Sequence, residues 1–240
     1  MKPWIDRNIL IENAKAFVKS HGYFLREHAK RISGLVEVAV YNSIVSYYQI
    51  QRYELSVEGL GPKKSFRYKV SAAGLLENFS HFRAIHPETG FAVIILQNTK
   101  IQSAHNAHLY YTPDVCVSVA DGAKTVEPRM GRKHSFVQND ALLTFVEVKH
   151  LIPFPEALYG FTGLVQEFAP RFISGKVNPV TNGDHLCPLI AFTGVGSRHT
   201  EDVRNVLSER YGINIVYGTQ KCSGSIALVT ELKRYSFNRG

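Results

Sequence analysis

Three residues in the middle of this chain have types and spacing that suit one piece of chemistry. Asp114 follows Pro113 and opens the apolar run Val115-Cys116-Val117-Ser118-Val119. About thirty residues later, Glu147 and Lys149 flank Val148 at the end of a second apolar run that begins at Leu142. Alternate side chains of an extended strand share a face, so Phe145, Glu147 and Lys149 point one way while Val146 and Val148 point the other. Ionised groups are rarely set beside buried strand surface unless they are paired or hold a metal. Two carboxylates at neighbouring strand boundaries can share one divalent cation. Hydrolysis of a phosphodiester needs a nucleophilic water, neutralised phosphate charge and a stabilised leaving oxygen, and a carboxylate-bound Mg²⁺ can supply all three. A lysine beside it can orient or deprotonate the water. The competing reading is a surface ion pair between Glu147 and Lys149, with Pro113-Asp114 as a plain turn.

The surrounding pattern supplies elements to position such a set. From Ile5 to about Arg31 apolar residues recur at roughly helical spacing until Ser33-Gly34, and Leu35 opens a second segment reaching about Tyr53. Its length suits a helix, yet Val36, Val38, Val40, Ile44 and Val45 are β-branched and leave a short strand open. Turn formers and charge at Glu58 to Lys64 mark a joint, dividing the chain into an N-terminal, mainly helical extension over residues 1–62 and an α/β core over 63–240. In the core, Phe66 to Val70 alternates as a strand, and Leu75, Phe79 and Phe82 line one face of a helix that stops before Pro87. Phe91 to Leu96, Leu109 to Val119 and Leu142 to His150 read as three strands. Then come a helix over Phe154 to Phe168 with Pro155 in its first turn, a strand over Pro188 to Thr193, a helix from about Thr200 to Tyr211-Gly212, and a strand over Ile213 to Tyr217. That order predicts a mixed sheet flanked by helices.

With Pro113-Asp114 followed by Glu147-Val148-Lys149 inside that order of elements, the segment from about Val70 to Tyr217 resembles the PD-(D/E)XK nuclease superfamily. The resemblance implies a restriction-endonuclease-like core and a metal-dependent nuclease that acts on DNA, most simply as an endonuclease in restriction, transposition, repair or anti-phage defence. It makes Asp114 and Glu147 metal ligands, the Val148 backbone carbonyl a further ligand, and Lys149 the residue that positions or activates water. Mg²⁺ is the implied cofactor, with Mn²⁺ able to substitute. Many members add an acidic residue on the helix before the first core strand, a place that falls to Glu77. On a helical wheel, however, Glu77 lies away from Leu75, Phe79 and Phe82, so a solvated face is the competing reading. Some branches carry a glutamine on the helix after the lysine strand; Gln166 sits there, although Pro170 stands where one such branch has a tyrosine. The alternative function is a catalytically silent, nuclease-like module that binds nucleic acid or serves assembly. A homodimer is implied if two strands are cut, and a nuclease that works only with a partner subunit is a third form.

Composition favours a polyanionic partner, such as nucleic acid or an acidic membrane surface. The 28 Lys and Arg outnumber the 20 Asp and Glu, a net charge of +8 that favours polyanions. No apolar run of about 18 residues is present to cross a membrane. The charged first twenty residues carry no signal-peptide core, so a cytoplasmic protein is expected. Cys116, Cys187 and Cys222 are odd in number and far apart, a pattern of buried thiols rather than of disulfides or zinc. Gly194-Val195-Gly196 lacks the third glycine of a dinucleotide turn, because His199 stands there, and Gly61-Pro62-Lys63-Lys64 lacks the glycine before the lysine of a phosphate loop. Both read as turns. His105 and His108 have metal-compatible spacing without a Cys or carboxylate beside them and read as a hairpin tip or solvated loop. Lys124, Arg129, Arg132, Lys133 and His134 make the connection between the two charged strands basic, suited to a phosphate backbone or simply to solvent.

Overall fold

A computed structural model describes residues 32–126, 133–177, 184–219 and 232–236, so the helix expected from Ile5 to Arg31 lies outside the described residues. The ambiguous second segment is a helix, α1 (Ile32–Ile50), which begins before the expected break at Ser33-Gly34. Its β-branched residues are tolerated because Val36, Val40, Tyr41, Ile44 and Tyr48 are buried against a sheet, and packing outweighs their modest helix propensity.

That sheet has seven strands: β1 (Glu54–Glu58), β2 (His81–Ile85), β3 (Ala92–Gln97), β6 (Val115–Val119), β9 (Leu142–Lys149), β11 (Leu189–Phe192) and β12 (Asn214–Val216), in that spatial order. Neighbours from β1 to β9 run antiparallel, while β9, β11 and β12 are parallel. The parallel pairs need crossovers, which α2 (Pro155–Phe168) and α3 (Arg198–Arg210) provide. Strand alternation divides the sheet into two apolar faces. Val93, Ile95, Val146 and Val148 pack with α1, whereas Ile94, Leu96, Phe145 and Ile190 pack with Leu158, Phe161 and Val165 of α2 and Val203 and Leu207 of α3. The result is a three-layer α/β architecture with a mixed central sheet.

A smaller four-stranded sheet, in the order β5 (Tyr110–Tyr111), β4 (Lys100–Gln102), β8 (His134–Val137) and β7 (Ala123–Val126), grows from the β3–β6 and β6–β9 connections. The single run expected over Leu109 to Val119 is therefore two strands in two sheets, broken at Thr112-Pro113, where proline has no N–H for a ladder. A short ribbon pairs β10 (His185–Leu186) with β13 (Arg234–Tyr235). Among the described residues no helix is long and apolar enough to cross a membrane.

Three expectations are corrected. Phe66 to Val70 is not a strand; this stretch is tied down by Arg67 N–H donating to Ser80 Oγ and Ser80 N–H donating to the Arg67 carbonyl, both at 2.8 Å. The helix expected through Leu75, Phe79 and Phe82 is a 3-10 turn, Leu76–Asn78, followed by β2. Its helical spacing lost to tertiary pairing, because Ser135 Oγ accepts the Leu76 N–H and the chain from His81 onward fills the slot between β1 and β3. Finally, the turn at Glu58 to Lys64 is not a joint between an extension and a core. It links two strands of one sheet, and α1 shares an apolar cluster with β3 and β9, so the described part of residues 1–62 is built into the core.

Gly194 shows how closely the strand ends are packed. It follows β11 and donates its N–H to the Leu151 carbonyl at 3.0 Å. A Cβ there would meet Ile152 Cα at 2.6 Å and the Leu151 carbonyl oxygen at 2.8 Å, both backbone atoms of the loop after Lys149. Gly194→Ala is therefore expected to destabilise the protein by about 2–3 kcal/mol, the range for overpacking without a flexible neighbour. Thermal unfolding of the variant checks this.

Candidate functional site

Asp114 is placed by the end of a ladder. β6 pairs with β9 as far as Val115 opposite Val146, leaving the next inward-facing amide of β9, Val148 N–H, without a strand partner. Asp114 Oδ2 accepts that N–H at 2.6 Å, standing in for the missing strand residue. The Asp114 carbonyl is fixed from the other side, accepting the Asn98 N–H at 3.0 Å. Asn98 has the left-handed backbone (φ 46°) of a tight turn between β3 and β4, and buried Lys69 clamps it by donating from Nζ to the Asn98 carbonyl at 2.7 Å and to Ser71 at 2.5 Å. Burial holds Lys69 down to a pKa of about 8.

Glu147 and Lys149 share a face of β9, as alternation requires. Lys149 Nζ donates to Glu147 Oε2 at 2.8 Å. The two differ sharply in environment: Glu147 is 2% exposed, whereas the Lys149 side chain is 40% exposed. The pairing expected between these residues is thus present, but it is not a surface ion pair, because its acidic half lies inside the protein.

The electrostatics mark a crowded anionic site. Burial first, and then the charge of Glu147, push the Asp114 carboxyl up to about 7, outweighing the Val148 N–H and Lys149, which pull it down. Burial would depress the Lys149 ammonium, but Glu147 beside it, with Asp114 and Glu37 farther off, holds its pKa above the usual value. Lys149 therefore keeps its proton and acts on nearby groups as a donor. Tyr111, on β5, lies next to the pair; burial first, then the charge of Glu147, a hydrogen-bonding interaction with the Glu147 carboxylate and the charge of Asp114 push its phenol well above the ordinary tyrosine range.

Among the described residues, no three His, Cys, Asp or Glu side chains form a metal-binding cluster. The donor set here is two carboxylates and a backbone carbonyl. An extended residue points its N–H and C=O to the same side, so the Val148 carbonyl faces the same way as the amide that Asp114 caps. A hard divalent cation such as Mg²⁺ takes oxygen donors and commonly keeps several waters alongside one or two carboxylates. A buried Glu147 carboxylate beside an Asp114 carboxyl pushed up to about 7 by burial and by Glu147 fits such an ion, which would relieve both.

The other expected site residues lie apart from this set. Glu77 is exposed on the 3-10 turn rather than on a helix. Gln166 is exposed on α2, and its observed contact is made by the backbone, whose carbonyl meets His105 Nε2 at 3.1 Å. His105 and His108 occupy the β4–β5 hairpin tip, as one of their two readings had it. Cys116 and Cys187 are buried free thiols pushed up to about 12 by burial, and Cys222, Arg129 and Arg132 lie outside the described residues.

Three residues were missed. Tyr111 and Lys69 carried no readable signal, since their roles depend on which loops meet. Glu37 did carry one: it is the single charged residue among the 19 of α1, and its charge raises both the Asp114 carboxyl and the Lys149 ammonium. No protein-family model and no curated protein matches this chain.

Proposed function

We propose that this protein is a metal-dependent nuclease that hydrolyses phosphodiester bonds in DNA, built on a restriction-endonuclease-like core. The observation that carries the reading is a pair of mutually repelling buried carboxyl groups: Glu147, 2% exposed, and Asp114, whose pKa is raised to about 7 by burial and by the charge of Glu147. Charge of this kind is rarely kept inside a fold without a cation or a catalytic use. The antiparallel β3–β6–β9 meander, followed by α2 and parallel β11, supports the same reading, as does the net charge of +8. Asp114, Glu147 and the Val148 carbonyl would hold Mg²⁺ or Mn²⁺. When bound, the ion supplies phosphate charge neutralisation and a water of lowered pKa.

The chain's own groups supply the rest. Lys149, kept protonated by Glu147, donates to the attacking water or to a phosphate oxygen and fixes its position. Tyr111, kept protonated by burial and by Glu147 and Asp114, is a further hydrogen-bond donor beside the carboxylates. Glu37 takes the part that the family resemblance first gave to Glu77, adding negative charge from the helix that precedes the core strands. Calorimetric titration with Mg²⁺ or Mn²⁺ tests the metal half of the proposal. Binding by the wild type that disappears in Asp114→Ala is expected, whereas no binding at millimolar metal would favour a silent nucleic-acid-binding module.

A further inference from the structure

Gln97 ends β3 and is 4% exposed. Among the described residues it alone has two buried side-chain polar atoms, the amide oxygen and the amide nitrogen, without a hydrogen-bond partner. An unmet buried amide is costly, because its bonds to water are lost and nothing replaces them. The backbone beneath it is fixed. Its own carbonyl accepts from Thr99 Oγ1 at 3.1 Å. The next residue, Asn98, is bound to Lys69 in both directions: Asn98 Nδ2 donates to the Lys69 carbonyl at 3.0 Å, and the Asn98 carbonyl accepts from Lys69 Nζ at 2.7 Å. Gln97 therefore cannot swing outward to water with a loose strand end.

Register shows what lies around the amide. Gln97 stands opposite Val115, the neighbour of Asp114, and by alternation shares with Ile95 the sheet face covered by α1. Tyr41 of α1 donates from Oη to the Ile95 carbonyl at 3.0 Å. Glu37 precedes Tyr41 by one helical turn, about 6 Å along the axis, and its charge is felt at Asp114 and Lys149. Two residues of β3, about 6.7 Å, lead from Ile95 to Gln97 in that same direction. The amide thus sits beneath the turn of α1 nearest the carboxylates. Its other surroundings are apolar or already engaged. Val115 offers no polar side chain, and Tyr41 Oη is taken by Ile95. Continuing the β2–β3 pairing beyond Phe82 opposite Ile95 brings Ser80 level with Gln97. Ser80 Oγ, however, already accepts the Arg67 N–H and donates to the Gly59 carbonyl, both at 2.8 Å.

We propose that Gln97 is a positioning residue of the candidate metal site, acting on the α1 side of Asp114 through a water held by its amide. An amide both donates and accepts, so one water can bond to it and to the Asp114 carboxylate, whose Oδ2 is already fixed by the Val148 N–H at 2.6 Å. Groups behind the direct ligands of a metal hold those ligands in orientation, and removing one costs about 10–100-fold in affinity. Keeping an amide where an apolar side chain would be more stable is the mark of such a role. The inference rests on the metal-dependent reading of Asp114 and Glu147, and adds to it a residue from a third strand.

Gln97→Met and Gln97→Leu test this, since each removes both polar atoms and the two fill the space differently. Urea unfolding in EDTA reads the metal-free fold, and calorimetric titration with Mg²⁺ reads binding; neither depends on cleavage. The better packed of the two variants is expected to be at least as stable as the wild type in EDTA, because the unmet amide is gone. It should nonetheless bind Mg²⁺ about 10–100-fold more weakly. Affinity within roughly threefold of the wild type in both variants would overturn the proposal. So would weaker binding that comes only with a less stable metal-free fold in both, which would make Gln97 a packing residue. Wild-type binding with unchanged variants defeats this inference alone, whereas a wild type that binds no Mg²⁺ defeats the metal-dependent reading and this inference with it.

Discussion

Glu147→Gln is expected to abolish metal-dependent cleavage while leaving the fold as stable as the wild type. Glutamine keeps the shape of the side chain and can still accept from Lys149, but it loses the charge that would hold the cation. A loss on the order of 1,000-fold follows from removing one principal electrostatic group of the site. Stability should change little, because the Lys149 side chain is 40% exposed and can turn to water when its partner becomes neutral. The reverse substitution behaves differently. Lys149→Ala leaves Glu147, 2% exposed, as an uncompensated buried charge, and destabilises by about 3 kcal/mol, the cost of breaking a buried pair from one side. Thermal unfolding and cleavage rates of the two variants would show this asymmetry. Equal destabilisation, or a Glu147→Gln protein that still cleaves within tenfold of wild type, would contradict the account.

The second large effect concerns pH. A carboxyl with a folded-state value near 7, against about 3.9 in an unfolded chain, keeps a proton that unfolding releases. The metal-free protein should therefore lose stability as pH rises from about 4 to 7, by up to about 1.4 kcal/mol per unit, and stay at the lower level above that. Asp114→Asn can still accept the Val148 N–H through its amide oxygen, and it removes the charge. It should erase the slope and stabilise the metal-free protein at pH 8 by about 2–4 kcal/mol. Mg²⁺ should do the same for the wild type at pH 8 and much less at pH 5.5, where binding must first displace the proton. Urea unfolding at several pH values, with and without Mg²⁺, reads both effects. A flat pH profile for the wild type would contradict the shared-charge site.

The core of this site was legible because it depends on short-range rules. Alternation along Leu142 to Lys149 is enough to put Glu147 and Lys149 on one face, and Pro113 is enough to start a strand at Val115 with Asp114 at its mouth. The flanking helices α2 and α3 are readable from their spacing and, for α2, from Pro155 in its first turn, whereas α3 begins at Arg198 under a Ser197 cap, two residues before the expected start at Thr200. What could not be read depended on pairing at a distance. The stretch Leu75 to Phe82 has helical spacing, and only the open slot between β1 and β3 makes His81–Ile85 a strand. The four-stranded sheet is built from segments of two to four residues, too short for any periodicity to show. Glu37 escapes a sequence reading because α1 looks like part of an extension; the Tyr41 Oη hydrogen bond to the Ile95 carbonyl ties that helix to the sheet.

The most direct measurement is cleavage itself. Supercoiled plasmid, linear duplex and single-stranded DNA would each be incubated with the wild type and with Glu147→Gln, in Mg²⁺, in Mn²⁺ and in EDTA. Cutting of at least one substrate by the wild type in either metal is expected, with none in EDTA and none by the variant. Cutting that persists in EDTA or in Glu147→Gln, or intact DNA in every wild-type reaction, would contradict it.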